Sequence, residues 1–261
     1  MPYTKILLTF LVICLAGTHS PAMSAQNAPT SEHPLPSKPK VIFFDVNETL
    51  LDLEAMRQSV GAALGGRNDL LPLWFSTMLH YSLVDTVTER YHHFGEIGVN
   101  ALLMVAKINN IPLTAADAKQ AIITPLQSLP PHPDVKEGLQ RLKDQGYTLV
   151  SLTNSSNKGV QTQFENAGLT QFFDKRLSIE DIQTYKPHIS AYTWAAKEMN
   201  IDPQDALMVA AHGWDTAGAK AAGMQAIFVA RPGKVTYPLA IPANGTVSTI
   251  TQLADMLEAL D

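Results

Sequence analysis

Apolar and polar positions follow two different rhythms along this chain. Residues 41–44 (VIFF) form an unbroken apolar run of β-branched and aromatic types and predict a buried strand. The stretch that follows changes period. Apolar residues recur at helical spacing over 71–91, and two further helices are expected over 100–110 and 114–129, the second opened by Thr114 as N-cap. The segment SLPPHPDV then breaks the pattern. From Asp134 onward, helix and strand signals alternate: a helix ending at Gly146, a strand over 147–153, a helix with Gly168 near its end, a strand over 206–210, a helix ending at Gly223, and a strand over 225–230. Such alternation implies right-handed crossovers and a parallel sheet covered on both faces. The expectation is an α/β core over 41–52 and 134–261, interrupted after its first strand by a helical insert over 53–133.

The N-terminal residues stand apart. Lys5 precedes the apolar run 6–17 (ILLTFLVICLAG), and small residues follow it. The run is too short to span a bilayer as a helix, and the pattern fits a secretory signal peptide over 1–25. Cys14, the only cysteine, lies inside that segment, so the mature chain would carry no disulfide and no thiolate metal site. Residues 26–40 are rich in proline and polar residues and read as a linker. The expected location is periplasmic or secreted, with no stable membrane anchor after cleavage. The chain has 261 residues, 46% hydrophobic, with a formal net charge of −5 and no basic patch. That suits a small-molecule substrate and argues against nucleic acid. A homodimer is compatible with this reading.

In a parallel sheet, function gathers where strands end. Asp45 ends the first strand, with Asn47 and Thr49 close behind. Thr153 and Asn154 end the second, Lys186 stands before Pro187, and His212, Trp214 and Asp215 follow the strand over 206–210. Brought together, these supply a nucleophilic carboxylate, an orienting shell and a cation to keep it ionised. Taken singly, each has a plainer role: Asp45 in a turn, Asn154 and Asp215 as helix caps, Lys186 in a solvated loop, Trp214 in packing. Their order and spacing favour the joint reading. His92 and Glu96, four residues apart in YHHFGE, are spaced for a metal, but Gly95 between them weakens a helix there, and a polar surface is expected instead.

The residues 45–49, SLTNSS, YKPHISAY and MVAAHGWDTAGAKAAGM together resemble the haloacid dehalogenase superfamily, and within it the type II 2-haloacid dehalogenases. The resemblance implies a Rossmann-like, doubly wound parallel sheet with a helical cap after the first strand. It implies Asp45 as nucleophile, positioned by Thr49 and Thr153, with Asn154 beside the substrate and Lys186 paired to the carboxylate. Asp215 would fix Lys186 and help activate water. Phe75, Tyr192, His212 and Trp214 would contact substrate. The implied reaction displaces halide through an Asp45 ester and yields a 2-hydroxy acid, with no cofactor and no metal.

Two alternatives stand beside it. A phosphatase of the same superfamily would need a carboxylate at position 47 and another at 211, where this chain has Asn47 and Ala211. A non-catalytic binding protein would have little use for Asp45, Lys186 and Asp215 together. The chain also departs from the dehalogenases. Phe75 stands where they carry a cap arginine, and Ala210 and His212 replace a serine and an asparagine. Arg57, Arg67, Arg90 and His212 are the candidates to supply the missing charge.

Overall fold

The computed structural model describes residues 35–260. The expected signal peptide, with Cys14, and the linker up to residue 34 lie outside the described residues. Six parallel strands form one sheet in the order β3-β2-β1-β4-β5-β6. They are β1 (Val41–Phe44), β2 (Thr148–Thr153), β3 (Lys175–Ser178), β4 (Ala206–Ala210), β5 (Gln225–Val229) and β6 (Gly245–Val247). β1 lies at the centre, paired with β2 on one side and β4 on the other. Chain progression runs outward in opposite directions from this pair. The gap between the carboxyl ends of β1 and β4 is therefore a topological switch point, where an open α/β sheet leaves a crevice.

The helices of the core are α5 (Val135–Asp144), α6 (Asn157–Ala167), α7 (Ile189–Glu198), α8 (Gly213–Ala221) and α9 (Ile250–Glu258). Between β1 and α5 the chain forms α1 (Arg57–Ala63), α2 (Leu71–Val87), α3 (Phe94–Ile108) and α4 (Ala115–Gln127). Thr114 caps α4, its hydroxyl accepting from the Asp117 N–H at 3.1 Å. The helix expected over 71–91 stops earlier, because Glu89 turns into the left-handed region (φ 55°).

The pattern of apolar runs missed both edge strands. β3 reads KRLS and buries only Leu177 and Ser178 fully, and β6 is three residues long. An edge strand has fewer neighbours to bury it, so its sequence carries no apolar run.

The helical insert is tied to the core at several points. The two crossing segments pair through Asp52 N–H to Pro130 O (2.8 Å) and His132 N–H to Leu50 O (3.0 Å). On α6, the Gln163 and Asn166 side-chain amides each donate to carbonyls at the end of α4, Leu126 O and Gln127 O, both at 2.9 Å. Tyr185, fully buried, donates its N–H to the Thr86 hydroxyl oxygen (3.1 Å) and stacks on Tyr91. The residue before Lys186 is thus clamped by the insert.

Candidate active site

β1 is buried throughout, and Asp45 continues its line, its N–H donating to Val209 O at 3.0 Å. The chain then turns sharply. Leu50 and Leu51 N–H both donate to Val46 O, and Glu48 adopts φ 67°, a conformation that side chains other than glycine rarely take. This turn brings Thr49 back over the strand end. Its hydroxyl donates to Asp45 Oδ2 (2.7 Å) and accepts from Ala211 N–H (2.8 Å), which ties the ends of β1 and β4 together.

Lys186 reaches in from the loop after β3. Its ammonium donates to Asp45 Oδ1 (3.0 Å), Asp215 Oδ2 (2.7 Å) and Leu152 O (2.8 Å), so all three protons are used. It is 1% exposed, Asp45 5% and Asp215 0%. Burial alone would push both carboxyls up and the ammonium down. For Asp45 the burial is overcome by Lys186, then by His212 and the Thr49 hydroxyl, and the carboxyl is held below its ordinary range. For Asp215 burial prevails: Lys186 is shared and Asp45 repels, so its proton affinity is raised. Lys186 is raised because the two carboxylates outweigh its burial. The asymmetry has a structural cause, since Asp45 has two further donors and Asp215 has only the Tyr192 hydroxyl, at 2.6 Å.

His212 makes the third contact to the nucleophile. Its Nδ1 lies 3.2 Å from Asp45 Oδ2 and its Nε2 lies 2.7 Å from Glu48 Oε2. With a carboxylate at each nitrogen, both donate, which is the imidazolium form. Burial opposes that charge, but the bonds to Asp45 and Glu48 prevail and raise the ring's pKa to about 9. The ring stacks with Trp214 (centroids 4.8 Å) and with Phe75 (6.0 Å). Glu48 is in turn hydrogen-bonded by Lys234, whose ammonium lies 5.9 Å from the Phe75 ring centroid.

Asp45 opens on a small chamber lined by Asn47, Phe75, Leu79, Phe94, Thr153, Asn154, His212 and Trp214. Its volume is about 10 Å³, room for roughly one water. The roof comes from α2 and α3. Phe75, Leu79 and His212 also line a larger outer cleft of about 600 Å³, which includes Glu48, Arg57, His132, Arg231 and Lys234.

The structure therefore gathers Asp45, Thr49, Lys186 and Asp215 into one hydrogen-bonded cluster. It places Thr153, Asn154, Phe75, His212 and Trp214 at the chamber. The Thr153 hydroxyl accepts from Ser155 N–H (3.1 Å), and Asn154 Oδ1 accepts from Lys186 N–H (3.1 Å). Tyr192 is placed differently from the expectation: it is fully buried behind Asp215 and away from the chamber lining. Asp215 likewise stands behind Lys186, with no face on the chamber. None of the arginines proposed as charge donors lines the chamber, although Arg57 lines the outer cleft. Arg57 pairs with Glu54, Arg67 with Asp69 (2.6 Å), and Arg90 is exposed. His92 stands ahead of α3 and meets Asp85 at 2.9 Å.

Sequence reasoning missed Glu48 and Lys234. A signal existed for both, since Glu48 lies in the nucleophile loop itself and Lys234 follows the end of the strand over 225–230, a strand end left unread.

A family model described as haloacid dehalogenase-like hydrolase matches residues 39–223. The chain is 27% identical over 215 residues to (S)-2-haloacid dehalogenase 1 of Pseudomonas sp. (strain CBS-3), covering 82% of this chain and 94% of that one. It is 28% identical over 221 residues to haloacetate dehalogenase H-2 of Moraxella sp. (strain B), covering 84% and 98%. The fold is similar to that of L-2-haloacid dehalogenase from Xanthobacter autotrophicus, with TM-score 0.78, 23% identity, and 85% and 100% of the two chains covered. With the family model spanning most of the chain, and with the nucleophile, its lysine and the late aspartate gathered at the carboxyl ends of the central parallel strands, this chain belongs to the haloacid dehalogenase-like hydrolases.

Proposed function

We propose that this chain is a hydrolase of the 2-haloacid dehalogenase type. The observation that carries the reading is Asp45: an ionised carboxylate, pinned at both oxygens, facing a small chamber roofed by Phe75, Leu79 and Phe94. The Asp45 carboxylate attacks the carbon bearing halogen, the carbon–halogen bond breaks, and halide leaves with the electron pair. Water then adds to the Cγ of the ester and releases a 2-hydroxy acid. This divides one difficult displacement into two easier steps. Halide needs no proton to leave, so the first step requires only a desolvated, oriented nucleophile.

Thr49 and Lys186 orient Asp45; Asp215, itself bonded by the Tyr192 hydroxyl, holds Lys186. Thr153 and Asn154 form the polar wall of the chamber, and Phe75 and Trp214 the aromatic walls. The donor set does not suit the magnesium of the phosphatase reading. The Asn47 amide is spent on Ser155 (3.2 Å) and Gln163 (2.8 Å), and Ala211 offers only backbone.

The test is a panel of 2-haloacids and phosphate esters with and without EDTA. Halide release that EDTA leaves unchanged is the expected result. Magnesium-dependent phosphate release would overturn the reading, and tight ligand binding without turnover would favour a binding protein.

The export pattern of residues 1–25 supports a periplasmic or secreted enzyme; N-terminal sequencing of the mature protein would show Met1 if this is mistaken. One side of α2 exposes Leu73, Leu83, Val84 and Val87. Pairing of two copies through that side is our reading of assembly, and light scattering that gives a monomer mass would refute it.

A further inference from the structure

We infer that His212, oriented by Glu48, is the base that activates water to hydrolyse the Asp45 ester. The assignment rests on the dehalogenase reading given above and completes its second half.

Among the described residues, three groups hydrogen-bond the Asp45 carboxylate, namely Thr49, Lys186 and His212. Of these, only His212 also lines the chamber where water can stand, and Asp215 does not reach it. Lys186 has spent its protons on three acceptors and carries no lone pair. The ring of His212 cannot rotate freely, because Trp214 and Phe75 both stack with it and Glu48 fixes Nε2. Its Nδ1 is thereby aimed at the carboxyl group that becomes the ester. Glu48 is itself held by Lys234 and by the left-handed backbone of the turn. A histidine with one nitrogen on a carboxylate and the other on the reacting centre is the arrangement general-base catalysis needs.

The resting enzyme holds this ring charged, because two carboxylates face it. Alkylation of Asp45 removes one of those charges, and Lys186 and Lys234 remain nearby as cations. The ring then binds its proton less tightly, and the Nδ1 proton leaves to solvent as halide departs. Neutral Nδ1 next accepts a proton from water as the oxygen adds to Cγ. The tetrahedral adduct collapses with cleavage of the bond from Cγ to the alkyl oxygen. The departing alkoxide takes the remaining water proton, and the Asp45 carboxylate again faces an imidazolium. Summed, organohalide and water give alcohol, halide and one proton, the proton being the one first shed by His212. The base is thus switched on by the first step and reset by the second.

The experiment follows both steps in single turnover with 2-chloropropionate, reading halide release and the mass of the peptide containing Asp45. In His212→Gln, about one equivalent of halide per site should still appear, the alkylated Asp45 peptide should accumulate, and kcat should fall by about 10²- to 10⁴-fold. In Glu48→Gln, the ring loses its orienting charge. The acid limb of ester hydrolysis should then move to lower pH, which a purely structural glutamate would not cause. A His212→Gln enzyme that clears its ester at the wild-type rate, or that loses the halide burst together with turnover, overturns the assignment and leaves the dehalogenase reading standing. Should His212→Gln fail to fold, an unmoved acid limb in Glu48→Gln overturns it equally. Wild-type enzyme that releases no halide overturns both.

Discussion

At the scale of single residues, the site is a balance of buried charge. Lys186 neutralises two carboxylates that burial would otherwise protonate. Replacing it with Met leaves Asp45 and Asp215 facing each other without a cation. Two effects should appear together. kcat should fall by at least about 10²-fold, because the nucleophile is no longer held ionised. Stability should also fall, by about 3–5 kcal/mol, as for a buried pair broken on one side. Full burial of the lysine, which no local pattern announces, adds the second effect. The sign with pH is specific. Without the ammonium, the two folded carboxyls rise above their unfolded values, so the variant should lose stability as pH increases through the carboxylate range. Thermal melts from pH 4 to 8 would show this. His212 has the opposite partner logic. Its folded pKa of about 9 lies above the ordinary 6.5. It therefore adds stability that is complete below about 6.5 and lost as pH rises through about 9. Wild type should melt lower at pH 9.5 than at pH 6.5, and His212→Gln should lose most of that difference.

At the scale of elements, α8 must approach α7 closely for Tyr192 to reach Asp215. Gly218 allows it: a Cβ there would lie 2.6 Å from the Tyr192 ring and hydroxyl and 2.7 Å from Pro187. Gly218→Ala should cost about 1–3 kcal/mol by overpacking. It should also lower kcat by loosening the bond from Tyr192 to Asp215 and so Lys186, and Tyr192→Phe should reproduce the loss of activity with a smaller loss of stability. Melting and kcat measured on both variants separate the two effects. The central strands and the helices after Asp134 were legible because burial on both faces forces apolar runs and 3.6-residue spacing. β3 and β6 were not, since an edge strand is under weaker pressure. The cluster of Asp45, Thr49, Lys186 and Asp215 could be read from strand ends alone. The placement of Tyr192 could not, because it depends on how two helices pack, and neither could the meeting of Lys234 with Glu48 across 186 residues of chain.

At the scale of the whole molecule, the room beside Asp45 is small. The chamber at Asp45 holds roughly one water, while the outer cleft is far larger, and Phe75, Leu79 and His212 form the wall between them. A 2-haloacid is larger than this chamber, so the lining must give way to admit it, and a shift of the helical insert or a swing of the Phe75 ring would make the room. Phe75→Ala should open that wall. The ratio of kcat/KM for long-chain 2-haloacids to that for haloacetate should then rise by at least about fivefold, the order of discrimination one side-chain wall provides. An unchanged ratio would place the size filter elsewhere. The crossing segments at Asp52 and Pro130 are the only covalent route between insert and core, so they are where such a motion must hinge.

The central claim is that Asp45, and not water, attacks the carbon. It is tested most directly by a single turnover with enzyme in excess over 2-haloacid, run in heavy-oxygen water. If Asp45 forms an ester that water opens at Cγ, the hydroxyl of the product carries ordinary oxygen and the label is found in the peptide containing Asp45. Label in the product hydroxyl, with an unlabelled Asp45 peptide, would mean that water displaces the halide itself, and the account would fail at its first step.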